Sequence, residues 1–339
     1  MAIRLIEIVL PALYQTEVND ILKSYESLEL WQERIDENRL RIKFILPTGK
    51  TEEVLDSLEK RFSTVEGFRI ILLPVEASIP RLKTGEEQDK ESIQSEKKEK
   101  SLSKSVRISR AELYAEAEKT TRFSWVFILL TLLSSFVASI GILRSNVVFI
   151  IGAMVIAPVL GPNVALSLAT TLGDLELSRK AIKAIAAGIL VAFGFSVFLG
   201  LVLFVDTSAP ELVSRTEVNF GDIILALAAG SAAALSFTSG LLSALIGVMV
   251  AVALLPPLVT VGMLAGAGSW EMALGSLLLF LTNFICVNLA GVLTFIAQGI
   301  RPLTWWEASK AKKAALRAVL VWCCLLIFLV VMIVLSSKN

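Results

Sequence analysis

The amino-acid order predicts a polytopic α-helical membrane protein with about seven transmembrane helices and a small N-terminal α/β domain. Three features carry that reading. The 339 residues are 55% hydrophobic and only 19% charged, and the charges crowd into the first third. From Ser124 onward, long apolar runs alternate with short polar ones, as expected when ~20 consecutive apolar residues must cross ~30 Å of hydrocarbon. Before Ser124, the apolar period switches repeatedly between alternate-residue and helical spacing.

Composition also sets exclusions. With 32 basic and 31 acidic residues the net charge is +1, and no nucleic-acid footprint appears. Histidine is absent, and the 3 cysteines, Cys286, Cys323 and Cys324, lie inside apolar runs, as packing or lipid-facing residues do. The usual zinc, haem and Cys-His nucleophile chemistries are therefore not expected, nor is any cofactor or metal, and the chain reads as no enzyme. The run Met1 to Leu13 is interrupted by Arg4 and Glu7 and lacks a small-residue cleavage site, so insertion is expected to begin at the first internal span.

Residues 1–80 read as one unit. Ile3 to Val9 is strand-like; Val18, Ile21, Leu22 and Tyr25 follow at helical spacing. Leu30 to Ile35 and Leu40 to Leu46 flank Asp36-Glu37-Asn38 as a hairpin does, with Leu40, Ile42, Phe44 and Leu46 on one face. Thr51 is placed at the N-cap of a second helix with Val54, Leu55, Leu58 and Phe62 as its buried stripe, and Phe68 to Val75 completes the order. The resulting βαββαβ succession is the ferredoxin-like unit. Such a domain is expected to be cytoplasmic and either to bind a regulatory small molecule or to mediate assembly into a homo-oligomer; fold alone does not choose between these.

Residues 81–105, with Glu86-Glu87 and Lys97-Lys98-Glu99-Lys100, have too few apolar side chains to fold and read as a charged flexible linker. Residues 106–123 form an amphipathic connecting helix opened by a Ser109–Glu112 capping box, and Trp125 belongs at the bilayer interface. Residues 124–339 then hold spans at Ser124–Leu143, Val147–Leu172, Ile182–Val205, Ile223–Ser239, Leu241–Ala265, Met272–Ala297 and Ala318–Ser336. Basic residues concentrate after span two (Arg179, Lys180, Lys183) and span six (Arg301, Lys310, Lys312, Lys313, Arg317). The positive-inside rule thus puts the N-terminus in the cytoplasm and the C-terminus outside.

An internal repeat lies within the spans. Ile151-Gly152-Ala153-Met154-Val155 matches Ile246-Gly247-Val248-Met249-Val250 at a constant offset, 247 − 152 = 95, and over positions 151 to 176 nine residues are identical, among them Leu160 with Leu255, Pro162 with Pro257, and Gly173 with Gly268. Each unit holds three helices, an odd number, so the second enters the membrane from the opposite side: a 3+3 inverted repeat, 124–205 and 223–297, with an extra C-terminal helix 318–336.

The matched segments are where the backbone is expected to break: Pro158, Gly161 and Pro162 in span two, Pro256-Pro257 in span five. Each proline removes an N–H and displaces the carbonyl four residues earlier, and in hydrocarbon that carbonyl must find another partner. Discontinuous helices of this kind line solute paths in transporters; ordinary proline kinks are the plainer alternative. Should the second helix restart with Pro162 first, the amides from Asn163 onward face the membrane interior. Candidate pathway residues are Gly152, Met154, Pro158, Gly161, Pro162, Asn163, Ser167, Pro256, Pro257 and Thr260, with Asn283 and Thr294 on one stripe of span six beside Gly291 and Gln298. Ser134, Ser135 and Ser139 are expected to join helices by hydrogen bonds, and Gly262 and Gly266 to allow close approach. No Asp, Glu, Lys or Arg lies near the centre of a span, which disfavours carboxylate-driven proton coupling.

The segment Gly152-Ala-Met-Val-Ile-Ala-Pro-Val-Leu-Gly-Pro-Asn163, with Gly173-Asp174, resembles the signature of domain-of-unknown-function family 389, a prokaryotic hydrophobic membrane protein family. The resemblance covers about Phe123 to Pro302. It implies a multi-pass protein of the prokaryotic inner membrane and marks Gly152, Met154, Pro158, Gly161, Pro162 and Asn163 as motif positions without assigning them a role. From the residues, the expected function is a channel or secondary transporter for a small solute or ion, whose partners are the lipid bilayer and that solute. The alternative is a membrane-anchored sensor or scaffold whose α/β domain binds a ligand or partner.

Overall fold

The computed structural model describes residues 3–23, 25, 29–75, 109–239, 244–300, 316 and 319–331. The linker expected at 81–105 lies outside them. The chain divides into two compact units, Met1–Glu112 and Leu113–Asn339.

In the first unit the order is β1 (Ile3–Pro11), α1 (Gln15–Lys23), β2 (Glu29–Arg34), β3 (Arg39–Pro47), α2 (Thr48–Phe62) and β4 (Arg69–Val75). The strands form one antiparallel sheet in the order β2-β3-β1-β4. Alternation in β1 and β3 fixes the register, because a slip by one residue would turn every apolar side chain to solvent. Ile8 pairs with Ile42 and Ile6 with Phe44. All four are buried against Val18 and Leu22 of α1 and Val54, Leu58 and Phe62 of α2. Each such side chain contributes about 1.5–3 kcal/mol, against roughly 0–1 kcal/mol for an exposed ion pair, so this cluster holds the unit together. On the other face Arg41 pairs with Glu7 at 2.9 Å. The hairpin turns where the Asp36 carboxylate accepts from the amides of Asn38 and Arg39, at 3.0 and 2.7 Å.

One expectation here is corrected. Helix α2 starts at Thr48, a turn ahead of Thr51, and the buried Thr51 hydroxyl donates to the Pro47 carbonyl at 3.2 Å instead of capping. Helix α3 (Arg110–Thr120) opens with the expected box: the Ser109 amide donates to Glu112 Oε2 at 3.0 Å and the Glu112 amide to Ser109 Oγ at 3.3 Å.

The second unit continues with α4 (Trp125–Leu143), α5 (Val147–Ile156), α6 (Leu160–Leu172), α7 (Leu175–Val202), the short α8 (Pro210–Val213), α9 (Phe220–Ser239), α10 (Ala244–Gly266), α11 (Trp270–Ala297) and α12 (Val319–Val331). Helices α4, α7, α9 and α11 are each long and apolar enough to cross a membrane, and α5 with α6, bent by 56°, makes a fifth span if counted as one. Ala253–Gly266 within α10 and Val319–Val331 are shorter apolar stretches. Caps mark the starts. Ser124 Oγ accepts from Phe127 N for α4, Asn146 Oδ1 from Val148 N for α5, and Asp174 Oδ1 from Glu176 N and Leu177 N for α7. Gly173 and Gly268 end α6 and α10 at φ 69° and 79°, a left-handed turn that favours glycine.

Element positions keep a fixed spacing. Helices α7 and α11 are both 28 residues long and start 270 − 175 = 95 apart; α4 and α9 start 220 − 125 = 95 apart; the two glycines lie 268 − 173 = 95 apart. Helix α4 packs on α5 and α7, and α9 on α10 and α11; α7 packs on α6 and α10, and α11 on α6 and α10. Small residues allow these approaches. A Cβ built on Gly262 would stand 2.5 Å from Ser196 Cβ, one on Gly291 would stand 2.7 Å from Ser167 Oγ, and Gly200 meets the Met263 carbonyl.

Two sequence expectations fail in the span region. Helix α10 does not break at Pro256-Pro257; it runs through both prolines. The neighbouring helix compensates: Asn283 Nδ2 of α11 donates to the Ala253 carbonyl at 2.9 Å, replacing the N–H that Pro257 cannot supply. Nor do Ser134, Ser135 and Ser139 bridge helices. Their hydroxyls donate within α4, to the carbonyls of Thr131, Thr131 and Ser135 at 3.0, 2.8 and 2.8 Å, because the nearest carbonyl to a helical serine is one turn back.

Candidate functional site

The bend between α5 and α6 organises the interior of the second unit. Pro158 has no N–H for the Met154 carbonyl, and Pro162 has none for the Pro158 carbonyl, so the ladder cannot run through. The chain turns at 157–159 and restarts at Leu160, which puts Pro162 third in the helix rather than first.

Asn163 lies one turn past the bend and is 3% exposed. Its Nδ2 donates to the Val159 carbonyl at 2.8 Å, and its Oδ1 accepts from Asn288 Nδ2 at 3.2 Å. Ser167 Oγ lies 3.3 Å from both the carbonyl and the Oδ1 of Asn288. Asn288 is fully buried, and its Nδ2 also donates to the Phe284 carbonyl at 2.9 Å. Three side chains thus tie α6 to α11 across the core. An unpaired buried polar group costs about 1–3 kcal/mol, and pairing these amides removes most of that cost.

A cavity of about 50 Å³ occupies the crook of the bend, several times the ~10–15 Å³ that one water requires. Its walls are Pro158, Pro162 and Asn163 at the bend, Gly188 of α7, Leu254 of α10, Phe280 and Phe284 of α11, and Thr131 and Ser134 of α4. The Thr131 hydroxyl donates to the Phe127 carbonyl at 2.8 Å, and that of Ser134 is committed as above. Both keep only lone pairs to offer. A smaller cavity of about 10 Å³ lies on the other side of Asn163, against Ser167, Gly230 and Gly291. No charged side chain lines either one among the described residues.

The other predicted residues are placed as follows. Met154 is buried in a cluster with Leu255, Val259 and Met263. Gly152 is half-buried with open space where a Cβ would stand, whereas a Cβ on Gly161 would lie 2.6 Å from Thr120 Cβ. Pro256, Pro257 and Thr260 are buried within α10, and Thr260 Oγ1 and Asn283 Oδ1 have no partner among the described residues. Asn283 and Thr294 line neither cavity, and Thr294 donates to the Ala290 carbonyl at 2.7 Å; of the stripe expected on span six, Gly291 alone lines one of the two cavities described. Sequence reasoning missed Asn288. It follows Asn283 by five residues, about 140° around the helix, so a search along the Asn283 stripe passes it by.

At one end of α7 lies a polar cluster with α3. Tyr114 Oη donates to Asp174 Oδ2 at 2.9 Å, and Lys180 Nζ lies 2.8 Å from both Glu118 Oε1 and Glu176 Oε1. Burial, then the hydrogen bond to Asp174, pushes the Tyr114 phenol up to about 12. The Lys180 ammonium holds the Glu118 carboxyl below its ordinary range.

The profile of the family described as "Domain of unknown function (DUF389)" matches residues 154–289, from Met154 in α5 through the bend to one residue past Asn288. Uncharacterized protein MJ0678 of Methanocaldococcus jannaschii is 37% identical over 291 residues, 86% of this chain and 86% of that protein. The chain belongs to the DUF389 family. The match takes in the whole bend, the larger cavity's walls on α7 and α10, and the amides of α11. No solved structure matches.

Proposed function

We propose that this DUF389 protein is a seven-span channel or secondary transporter for a small solute, not an enzyme, built on a 3+3 inverted repeat around the bend. The observation that carries the reading is the cavity in the crook of that bend, where a helix is interrupted inside a bundle of apolar helices. Irregular backbone at membrane depth is tolerated where it is buried in protein or lines a cavity, and transporters place their sites at such breaks.

The repeat draws support from four sets of facts. Helix starts and left-handed glycines recur at the 95-residue spacing. Exchanging α4 with α9, α5–α6 with α10, and α7 with α11 turns each helix contact described above into another contact that is made. The close contact of Gly262 with Ser196 becomes that of Ser167 with Gly291 (262 − 95 = 167; 196 + 95 = 291), with serine and glycine trading places. Three helices per half give the odd count that inversion requires. In this reading the N-terminal unit is a cytoplasmic ferredoxin-like domain that regulates or assembles the protein, in line with its β2-β3-β1-β4 order, and the C-terminus is outside.

The test is flux in proteoliposomes containing the full chain, comparing wild type with Asn163→Leu and Pro162→Ala for a panel of small neutral solutes and monovalent ions. Flux for at least one solute, lost or altered in both variants, is expected. Wild-type vesicles no leakier than empty ones across the panel would refute transport.

A further inference from the structure

Resting on the inverted-repeat reading, we propose that the larger cavity binds a small, uncharged, hydrogen-bond-donating solute of carboxamide size, which bonds the Pro158 carbonyl as Asn283 bonds the Ala253 carbonyl. In the second half, Pro257 leaves the Ala253 carbonyl without its helical donor, and Asn283 Nδ2 supplies one at 2.9 Å. Each of these residues has a counterpart 95 positions earlier. Pro257 corresponds to Pro162, Ala253 to Pro158, and Asn283 to Gly188 (257 − 95 = 162; 253 − 95 = 158; 283 − 95 = 188).

Gly188 and Asn283 are each the fourteenth of 28 residues in their helices. Pro162 deprives the Pro158 carbonyl just as Pro257 deprives that of Ala253, and no described residue donates to it. Where the second half carries a carboxamide, the first has a glycine, and Gly188, Pro158 and Pro162 all line the 50 Å³ cavity. The cavity is the space of a missing amide.

The rest of its lining fits the same ligand. Thr131 and Ser134 have spent their protons on α4 carbonyls, and Asn163 has spent one of its two Nδ2 protons on Val159. Beside the Pro158 carbonyl the wall thus offers hydroxyl lone pairs and one amide N–H, so the ligand is a donor that also accepts, as a carboxamide is. Phe280, Phe284 and Leu254 complete an apolar wall without a countercharge, which selects a neutral molecule. Acetamide and urea have this chemistry. Acetone has a similar size and no N–H.

The experiment uses the purified full chain in detergent and reads thermal unfolding with acetamide, with acetone and with neither. Wild type should gain several degrees from acetamide and nothing from acetone. Gly188→Asn should start higher and lose the acetamide gain, its tethered amide having filled the site; a Cβ at Gly188 meets only the Phe127 ring, Cζ at 3.3 Å and Cε1 at 3.6 Å. An acetamide gain that survives undiminished in Gly188→Asn, or that acetone matches, overturns the proposal. Should Gly188→Asn not fold, Asn283→Gly decides: acetamide should restore part of its lost stability and acetone none, and equal restoration by both overturns the proposal. These readings need no transport, so flux of other solutes with no acetamide effect would refute the ligand class alone.

Discussion

Asn283 Nδ2 stands 2.9 Å from the carbonyl of Ala253, the group that Pro257 deprives of its helical donor. One side chain on α11 thus supplies the donor that Pro257 removes from α10. Replacing Asn283 with Ala leaves that carbonyl buried and unpaired, and the full chain should lose about 1–3 kcal/mol, measured as a fall in unfolding temperature. Asn283→Asp should be at least as damaging, since an ionised carboxylate cannot donate.

The Asn163–Asn288 contact at 3.2 Å should behave as a coupled pair. Asn163→Leu and Asn288→Leu should each destabilise, and the double variant should cost less than their sum by about 0.5–3 kcal/mol. Strict additivity would mean that the two amides do not act on one another.

The exchanged seams provide a test of the repeat that needs no assay of function. Gly262→Ser alone puts a side chain into Ser196, where even a Cβ stands 2.5 Å away, and overpacking of this kind typically costs about 1–3 kcal/mol. Adding Ser196→Gly recreates on α7 and α10 the arrangement that Ser167 and Gly291 have on α6 and α11. The double variant should recover part of the loss in thermal unfolding and no more, because the new Cβ still faces the Phe193 carbonyl oxygen at 2.9 Å.

The contacts of α3 with α7 should fail at the two ends of the pH scale for separate reasons. Glu118 has a depressed carboxyl, so its contribution is present above the ordinary value of 4.5 and disappears as pH falls below it. Tyr114 has a raised phenol, so its contribution is whole below the ordinary 10.0 and is lost as pH climbs through about 12. A fluorophore on α3 should report both limbs; Tyr114→Phe should remove the alkaline one and Lys180→Met the acidic one.

Much of the first unit was legible in the sequence because the alternation of Ile6, Ile8 and Leu10 against Leu40, Ile42 and Phe44 fixes strands, faces and register together. The capping box at Ser109 and the bend at Pro158 and Pro162 were legible for the same reason: each is a short-range rule about which N–H groups exist. What escaped depended on distant partners. Two prolines in α10 carry a local signal like that of those at the bend, and the donor that serves the Ala253 carbonyl, Asn283, lies thirty residues after it. Asn288 was missed because its partners, Asn163 and Ser167, lie more than a hundred residues earlier. Spans beyond the four long helices and the bent pair remain part of the proposal.

Gly161 is where Thr120 touches the restart of α6, with 2.6 Å separating Thr120 Cβ from the place a side chain would begin. Glu118 and Tyr114, two and six residues back along α3, hold the start of α7. The hinge therefore has a strap across it: α6 cannot swivel about its own axis without pushing Thr120, and the push has somewhere to go. A spin label on the outer face of α3 would register the angle of the bend without altering the half-buried residues that form it.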